Sequence, residues 1–595
     1  MKRRILRALP VAAALVGAAL PLLLVVHARS VNGAGGFPLD DPWIHLTFAR
    51  NLAEHGTFRY FPGDRAVQGS TSPLFTLLLA AGWKLSHDEK LLGHALGIGA
   101  HAGFLALLAL WARRRGLECV WVAAAVAVVA FEPRVVILAA SGMETSLFLL
   151  LVAASFAAHA GRWRTVEGVA LGLATWARPE GLLLAAVMAI DLARSRDRRG
   201  MLRGAAAMAA ILASYAAFNR FVGGTFLPST FAAKTAYYGR DPRWDFITDD
   251  VVAALATWGW AVLLPFAAWG AAATVRRAWR RADGAAAEAG WVSGLVLAYV
   301  VLLPFAHRFE RYLVPALPAL AVLGVGAARA VSSRRAAGFA VAAAVGLNAA
   351  RVPGAFVEYA TFCRYHLERH ERAGRWLAAN TPPDAVIAAH DVGALAFYSR
   401  RRVVDPVGIV LPEAARHLHD SAYLDYLREL FDREGVTHLA FLRNWLDVAN
   451  VEPLFVATEQ PEILKIDPWI SGRTHLVPHA ATVLNDEAGR LLSQGDTAAA
   501  LDRLERSLAI DRENAQTWLA RGAALEVMRR LGDAEASYRS ALERQSDSSA
   551  ARLRLATVVG AQGRRAEARA LLEPLLADPA TAPLAGELRR ALARN

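Results

Sequence analysis

At 595 residues, with 55% hydrophobic and 20% charged side chains, the chain is too long for one ordinary domain and too apolar for a soluble multidomain enzyme. Its formal net charge of +13 would suit nucleic acid if the cations covered a soluble face, but they gather in short clusters between apolar runs, a membrane-topology pattern that argues against a nucleic-acid partner. Cys119 and Cys363 are the two cysteines, so no disulfide framework stabilises the fold.

In chain order, Lys2, Arg3 and Arg4 precede an apolar run over 5–26. It is long enough to span, and Val25-Val26-His27-Ala28-Arg29 offers no convincing small-x-small cleavage site, so an uncleaved helix is expected. Spanning runs lie near 5–27, 91–111, 118–133, 146–160, 165–178, 181–193, 202–221, 251–273, 288–306, 312–331 and 336–351, about eleven crossings. An inside N-terminus then places Arg113 to Arg115, Arg162 with Arg164, Arg194 through Arg199, Arg276, Arg277, Arg280 and Arg281, and Arg334 with Arg335 on the cytoplasmic side. The apolar stretch 73–83 is short for a span and reads as a re-entrant or interface-lying helix. This threading leaves 28–90, the 222–250 loop, the 307–311 turn and everything after about 351 on the external side.

Beyond the core of 1–355, the sequence alternates. Strands are expected at 385–389, 402–405 and 437–441, and helices at 393–399 and 423–434, which makes 356–477 a small α/β domain. Over 478–595 a 34-residue spacing puts Ala500, Ala534 and Ala568 in one small position and Leu504, Tyr538 and Leu572 in one large position. Trp518, Gly522 and Ala541 fill further tetratricopeptide slots, so a stack of three helix pairs is expected.

Leu39-Asp40-Asp41-Pro42-Trp43-Ile44 opens an amphipathic stretch in the first external loop. Two like charges so close raise one pKa, and a carboxylate beside the bilayer can deprotonate a hydroxyl or hold a divalent cation. The structural alternative is that Asp41 caps a helix with Pro42 at its first position, which leaves Asp40 as the stronger catalytic candidate. Ser141 and Glu144 have the spacing of a capping box, yet Glu144 also lies on the same side as Asp40. Arg178 and Glu180 flank Pro179 close to hydrocarbon, as a helix-stitching salt bridge or as ligand-binding groups. Arg308 and Arg311 lie outside, against the topological bias, where an external arginine pair suits a polyprenyl phosphate. His390 and Asp391 follow a strand and precede Gly393 and a short helix, a frequent place for active groups in α/β folds; the alternative is a structural histidine.

Taken together, Asp40-Asp41-Pro42-Trp43-Ile44, Ala49-Arg50-Asn51-Leu52-Ala53, Gly69-Ser70-Thr71-Ser72-Pro73-Leu74, Gly142-Met143-Glu144-Thr145, Arg178-Pro179-Glu180-Gly181 and His390-Asp391-Val392-Gly393-Ala394-Leu395 form a pattern that resembles the bacterial GT-C membrane transferases. Within them it is most similar to the terminal arabinofuranosyltransferase group of mycobacterial walls and the ZomB-like flagellar motor control proteins. The resemblance covers about 30–410 and not the repeats. It implies inverting transfer from a polyprenyl-phosphate sugar on the external face, with a first-loop carboxylate as base. Around Leu227-Pro228-Ser229-Thr230, Ser229 stands where the family usually has Asn.

The expected fold is thus a polytopic α-helical membrane protein of GT-C type, in the bacterial plasma membrane, with an external α/β domain and a C-terminal all-α tetratricopeptide solenoid. Asp40 or Asp41 would remove the acceptor proton, while Arg308, Arg311 and Lys234 would stabilise the departing phosphate. Asp41, Glu144 and His390 could hold a divalent cation. No nucleotide cofactor is expected, because no Gly-rich phosphate loop is present. Expected partners are the lipid donor, a glycan or protein acceptor, membrane lipid, and a protein docked on the repeats. The rival readings are a non-catalytic scaffold and a transporter. A scaffold needs no external acidic pair, and a transporter favours ionisable groups at the midplane.

Overall fold

The computed structural model describes residues 2–192, 197–226, 234–235, 238–239, 242–281, 286–420, 422–442, 446–451, 453–456, 468–472, 474–577 and 581–594. Arg194 and Arg196 of one cluster expected on the cytoplasmic side, and Leu227 to Thr230 with Ser229, lie outside these residues.

Among the described residues, six helices are long and apolar enough to cross a membrane: Leu6–Asn32, Glu89–Arg114, Arg198–Gly223, Trp258–Ala278, Arg308–Arg329 and Arg334–Asn380. A seventh crossing arises if Cys119–Ala130 and Pro133–Ala140, bent by 65° at a break, form one span. The expected straight span at 118–133 is therefore a broken pair, because Glu132-Pro133 starts a new helix with proline at its first position. Pro73–Trp83, Thr145–Gly161, Gly181–Leu192 and Ala287–Leu302 are shorter apolar helices, and with the long ones they make a multi-pass membrane protein.

The chain divides into two compact units. One comprises Met1–Ala378, Asp391–Arg400 and Val407–Arg416; the other comprises Ala379–His390, Arg401–Pro406 and His417–Asn595. This differs from boundaries at 355 and 477. Helix Arg334–His366 does not stop at 355 but runs through a π-helical turn, Leu367–Glu371, into Arg372–Asn380.

In the first unit, the first-loop helix Asp41–His55 starts with Pro42, whose fixed φ suits the first turn, and ends on Gly56 at φ 67°, a left-handed cap. Its residues 42–51 are buried. Trp43 anchors it, with its ring centroid 5.1 Å from Phe37, 5.3 Å from Phe397 and 5.0 Å from Tyr398. Burying a ring of that size removes about 200 Å² from water and contributes on the order of 5 kcal/mol. Asn51 Nδ2 donates to the Arg59 and Tyr60 carbonyls, and Tyr60 Oη donates to Val392 O at 2.8 Å, so the loop beyond the helix is tied to the 391–400 segment.

The second unit holds a five-stranded sheet of β1 (Val386–Ala389), β2 (Arg402–Val404), β3 (His438–Leu442), β4 (Pro453–Val456) and β5 (Pro468–Gly472), in the order β2-β1-β3-β5-β4. Strand β1 runs parallel to β2 and β3, while β5 is antiparallel to β3 and β4. Seven helices from His479–Ser493 to Ala582–Arg594 follow, each packed on the next. The small and large positions of the 34-residue pattern, Ala500, Ala534, Ala568, Leu504, Tyr538 and Leu572, are all buried. A Cβ at Gly522 would press into the Tyr538 ring, at 2.5 Å, so the pattern's glycine lets the helices approach.

Candidate functional site

The site grows from the two ends of the Asp40-Asp41 pair, which the fold sends to different partners. Asp40 occupies the cap position of the first-loop helix, but its carboxylate does not cap it. Instead Oδ2 accepts from Gly393 N at 2.6 Å and Oδ1 accepts from Ala394 N at 2.8 Å, at the start of helix Gly393–Ser399. A Cβ at Gly393 would sit 2.6 Å from Asp40 Oδ2, which explains the glycine of the His390-Asp391-Val392-Gly393 motif. Burial, with Asp391 nearby, outweighs His370 and these two N–H donors and lifts the Asp40 carboxyl to about 6.

Asp41 is the first residue inside the helix and not its cap, so the capping expectation is corrected. An ion pair outcompetes a local turn: Asp41 Oδ2 accepts from Arg311 Nη2, and His307 Nε2 lies 3.9 Å away. Burial opposes ionisation, but Arg311 and, further off, Lys234 hold the Asp41 carboxyl well below the usual range. His307 is pushed well below its ordinary value by burial and by Arg311, so it stays neutral. Its turn is strained: His307, Phe309 and Glu310 have φ of 60°, 61° and 41°, a left-handed run that non-glycine residues adopt at a cost.

Arg311 is 1% exposed, and its Nε and Nη1 have no hydrogen-bond partner among the described residues. Around it, three cations surround one ring: Arg178, Arg311 and Lys234 lie 5.1, 5.3 and 5.6 Å from the Tyr312 centroid. Lys234 Nζ donates to Tyr312 Oη at 2.9 Å, and Tyr299 stacks on Tyr312 at 5.2 Å.

Glu144 joins from another turn. Gly142, at φ 73°, reverses the chain after helix Pro133–Ala140. Ser141 Oγ donates back to Leu138 O at 2.8 Å, and Glu144 makes no cap hydrogen bond, so the capping box does not form. The Glu144 carboxylate lies 3.5 Å from His45 Nε2 and 3.5 Å from Arg178 Nη1. Burial would raise it, yet His45 and Arg178 prevail and hold it at about 2. His45 Nδ1 continues the chain to Ser70 Oγ at 3.0 Å and Thr76 Oγ1 at 3.2 Å. Arg178 Nε donates to Glu180 Oε1 at 3.0 Å, so the salt bridge and the cluster are one arrangement.

The fold therefore gathers Asp41, Glu144, Arg178, Glu180, Lys234 and Arg311. Asp391 goes elsewhere, accepting from His370 Nε2 at 3.0 Å, on the π-helical turn. Arg308 is exposed, with its guanidinium 4.8 Å from the Phe362 ring centroid and not on the cation cluster. His390 belongs to the second unit, where it stacks on Phe441 at 5.6 Å. Among the described residues no three His, Cys, Asp or Glu side chains group to hold a metal ion. Asp41 and Glu144 take arginines instead, so these residues do not fit a resident cation. His45, Tyr299 and His370 were missed from sequence, and of the 307–312 stretch only Arg308 and Arg311 were given roles, not His307 or Tyr312; for His45 a signal existed, since it stands one helical turn after Asp41 on the same face.

Residues 360–489 match a family model described as a domain of unknown function, DUF8728. No curated protein matches the chain by sequence. By structure the chain is similar to ArnT from Cupriavidus metallidurans bound to undecaprenyl phosphate, at 14% identity and TM-score 0.50, covering 78% of this chain and 97% of that one. The apo state of the same protein aligns at 15% identity and TM-score 0.52 over the same shares, 78% and 97%. The Archaeoglobus fulgidus oligosaccharyltransferase in the apo form aligns at 14% identity and TM-score 0.50, covering 73% and 69%. At these identities the likeness is one of fold, shared over about three quarters of the chain.

Proposed function

We propose that the chain is a membrane glycosyltransferase that moves a sugar from a polyprenyl-phosphate donor to a hydroxyl of a glycan or protein acceptor on the external face, with inversion. The observation that carries this reading is the buried Arg311, with two donors unpartnered, beside Asp41 and the cation-ringed Tyr312. A buried guanidinium with free donors is costly unless an anion completes it, and a phosphate offers a matching fork. The undecaprenyl phosphate in the ArnT structure supports the same donor chemistry.

In the proposed reaction, the acceptor oxygen attacks the anomeric carbon as the bond from that carbon to the phosphate oxygen breaks. The acceptor proton goes to a carboxylate, and the electron pair leaves on the phosphate, which gains a negative charge. Arg311, Arg178 and Lys234 are suited to stabilise that charge. Asp40 is the better base, because a carboxyl near 6 can hold a proton that Asp41, suppressed by Arg311, cannot. Each Asp40 oxygen accepts one backbone N–H and retains a second lone pair for the acceptor. Asp41 then orients Arg311. The second unit, read as a periplasmic α/β domain with tetratricopeptide repeats, would hold the acceptor or a protein partner.

The test is to load purified protein with a panel of polyprenyl-phosphate sugars and look for retained lipid by mass spectrometry. Retention of one sugar class by the wild type, and its loss in Arg311→Ala, supports the reading. No retention across the panel favours the scaffold.

A further inference from the structure

A polar cavity lies in the first unit, and its lining shares no residue with the Arg311 cluster. It encloses about 450 Å³, and its lining includes Arg50, Glu54, Glu89, Arg375, Tyr398 and Arg400. The proposed reaction uses none of these residues. Two helices of the reaction site reach it, Arg50 and Glu54 from the far end of Asp41–His55 and Phe397, Tyr398 and Arg400 from the far end of Gly393–Ser399, while Trp83, Glu89 and Arg375 come from other helices. The near ends of the same two helices meet at Asp40. At 1.5 Å rise per residue, the cavity is about 15–20 Å along the first-loop helix from the carboxylate pair.

Its charges have a distinct logic. Arg50, only 6% exposed, donates from Nη1 to Phe397 O at 2.7 Å and lies 4.5 Å from the Phe397 centroid. Arg375 lies 4.3 Å from the Tyr398 centroid and is held by Glu371, at 2.9 Å from Nη2. Arg400 caps its helix at φ 52°, with 64% of its side chain exposed and Nη1 4.0 Å from Glu54. Three guanidinium groups thus face one cavity; burial, and second to it the Arg400 charge, depress Arg50 to about 10 against the opposing pull of Glu54 and Glu89. An anion would relieve the repulsion between the two arginines. Yet Glu54 accepts from Trp83 Nε1 at 3.1 Å and Glu89 accepts from Tyr398 Oη at 2.8 Å, and these carboxylates keep further lone pairs. Such acceptors serve hydroxyls and penalise a bare anion. A ligand carrying one negative group among several hydroxyls satisfies both.

We infer that this cavity is a distal acceptor subsite that binds an acidic saccharide, its carboxylate or phosphate on Arg50, Arg375 and Arg400 and its hydroxyls on Glu54 and Glu89. The inference rests on the transferase reading and extends it. The reacting hydroxyl would lie several sugar residues from the charged one, so the acceptor would be an oligosaccharide and not a monosaccharide.

The experiment titrates full-length protein in phosphatidylcholine nanodiscs by calorimetry. The probes are a glucuronate-bearing tetrasaccharide, its carboxyl-reduced neutral counterpart and a phosphate-bearing oligosaccharide. At least one acidic probe should bind about tenfold or more tighter than the neutral one, consistent with one charge-assisted contact; which one does so identifies the anion. Arg400→Gln should shrink that preference and Arg400→Glu abolish it, both at an exposed position that the fold tolerates. Asp41→Asn should leave it intact. Equal binding of acidic and neutral probes, no binding of either, a preference that survives Arg400→Glu, or displacement of the probe by phosphatidylglycerol would overturn the inference. Donor retention is read separately by mass spectrometry, so loss of the saccharide site with donor still retained would sink this proposal and spare the transferase reading.

Discussion

Replacing Asp40 by Asn tests the division of labour between the two carboxylates, and the structure sets the expected size of each effect. In the folded protein burial lifts this carboxyl from 3.8 to about 6, which is about two pH units or about 3 kcal/mol. The sign is opposite to that of a salt-bridged carboxylate. The protonated form is favoured, so the stabilisation is fully present below about pH 4 and lost as pH rises through about 6. The neutral amide of Asp40→Asn lifts that neutral-pH cost, an upper figure because solvent reaches the half-buried group. Against this gain, the amide must turn an NH2 toward the N–H of Gly393 or Ala394, which leaves a donor unpaired at about 1–3 kcal/mol. The two nearly offset, and stability should change by no more than about 2 kcal/mol. Turnover should fall by roughly 100-fold to 10,000-fold, the usual contribution of a general base. Wild-type turnover should itself rise with pH around a midpoint near 6. The assay is sugar transfer by mass spectrometry beside thermal melting and lipid retention. Normal turnover in Asp40→Asn would refute the reasoning, and so would a collapse of melting and lipid retention together.

Arg311→Lys keeps the charge and loses the fork, so donor retention should weaken by about 10-fold to 100-fold with Asp41 still paired; unchanged retention in the lipid-loading assay would remove Arg311 from the phosphate site. Gly393→Ala forces its Cβ hard against the Asp40 carbonyl and to 2.6 Å from its carboxylate, so it should cut turnover by about 100-fold and also lower the melting temperature, with the protein still folded. Turnover at wild-type level would show that the Gly393 contact does not position Asp40. Cysteines introduced on exposed faces of the 479–594 helices should react with an impermeant maleimide in intact cells. The native Cys363 is buried and Cys119 half-buried, so background should be low, and labelling from the cytoplasm alone would invert the topology and the mechanism with it.

The motifs that the sequence disclosed were those whose partners lie nearby. Arg178 and Glu180 are two residues apart, and their pairing follows from the helix break at Pro179. The 34-residue spacing found the buried positions of the terminal helices because each of them packs on its sequence neighbour. Long-range partners left no such trace. Asp41 meets Arg311 across 270 residues, and Asp40 meets Gly393 across 353. Local rules misread two carboxylates: helix capping was expected at Asp41 and Glu144, where a buried ion pair with arginine is the stronger demand. Tyr312 escaped notice because a tyrosine in an apolar run looks like core packing until the cations around it are known. His370 escaped because it sits on a π-helical turn, which has no sequence signature of its own.

The way the backbone is shared between the two units bears on how this protein can be altered or inherited. The chain passes from one unit to the other at 378/379, 390/391, 400/401, 406/407 and 416/417. A single cut at any one of these divides at least one unit between the two fragments, so limited proteolysis there would give a nicked protein held together by packing. Gene fusion or domain exchange at one boundary would likewise divide a unit between the product and the part left behind. At 378/379 or 390/391 the segment bearing Gly393 and Ala394 would be parted from Asp40, and at 400/401 from the strand Arg402–Val404. The transferase-like core and the β-sheet unit are thus bound to travel together as one heritable piece, whereas the terminal helices, reached by one uninterrupted stretch from His479, are the part that recombination can lengthen, shorten or replace.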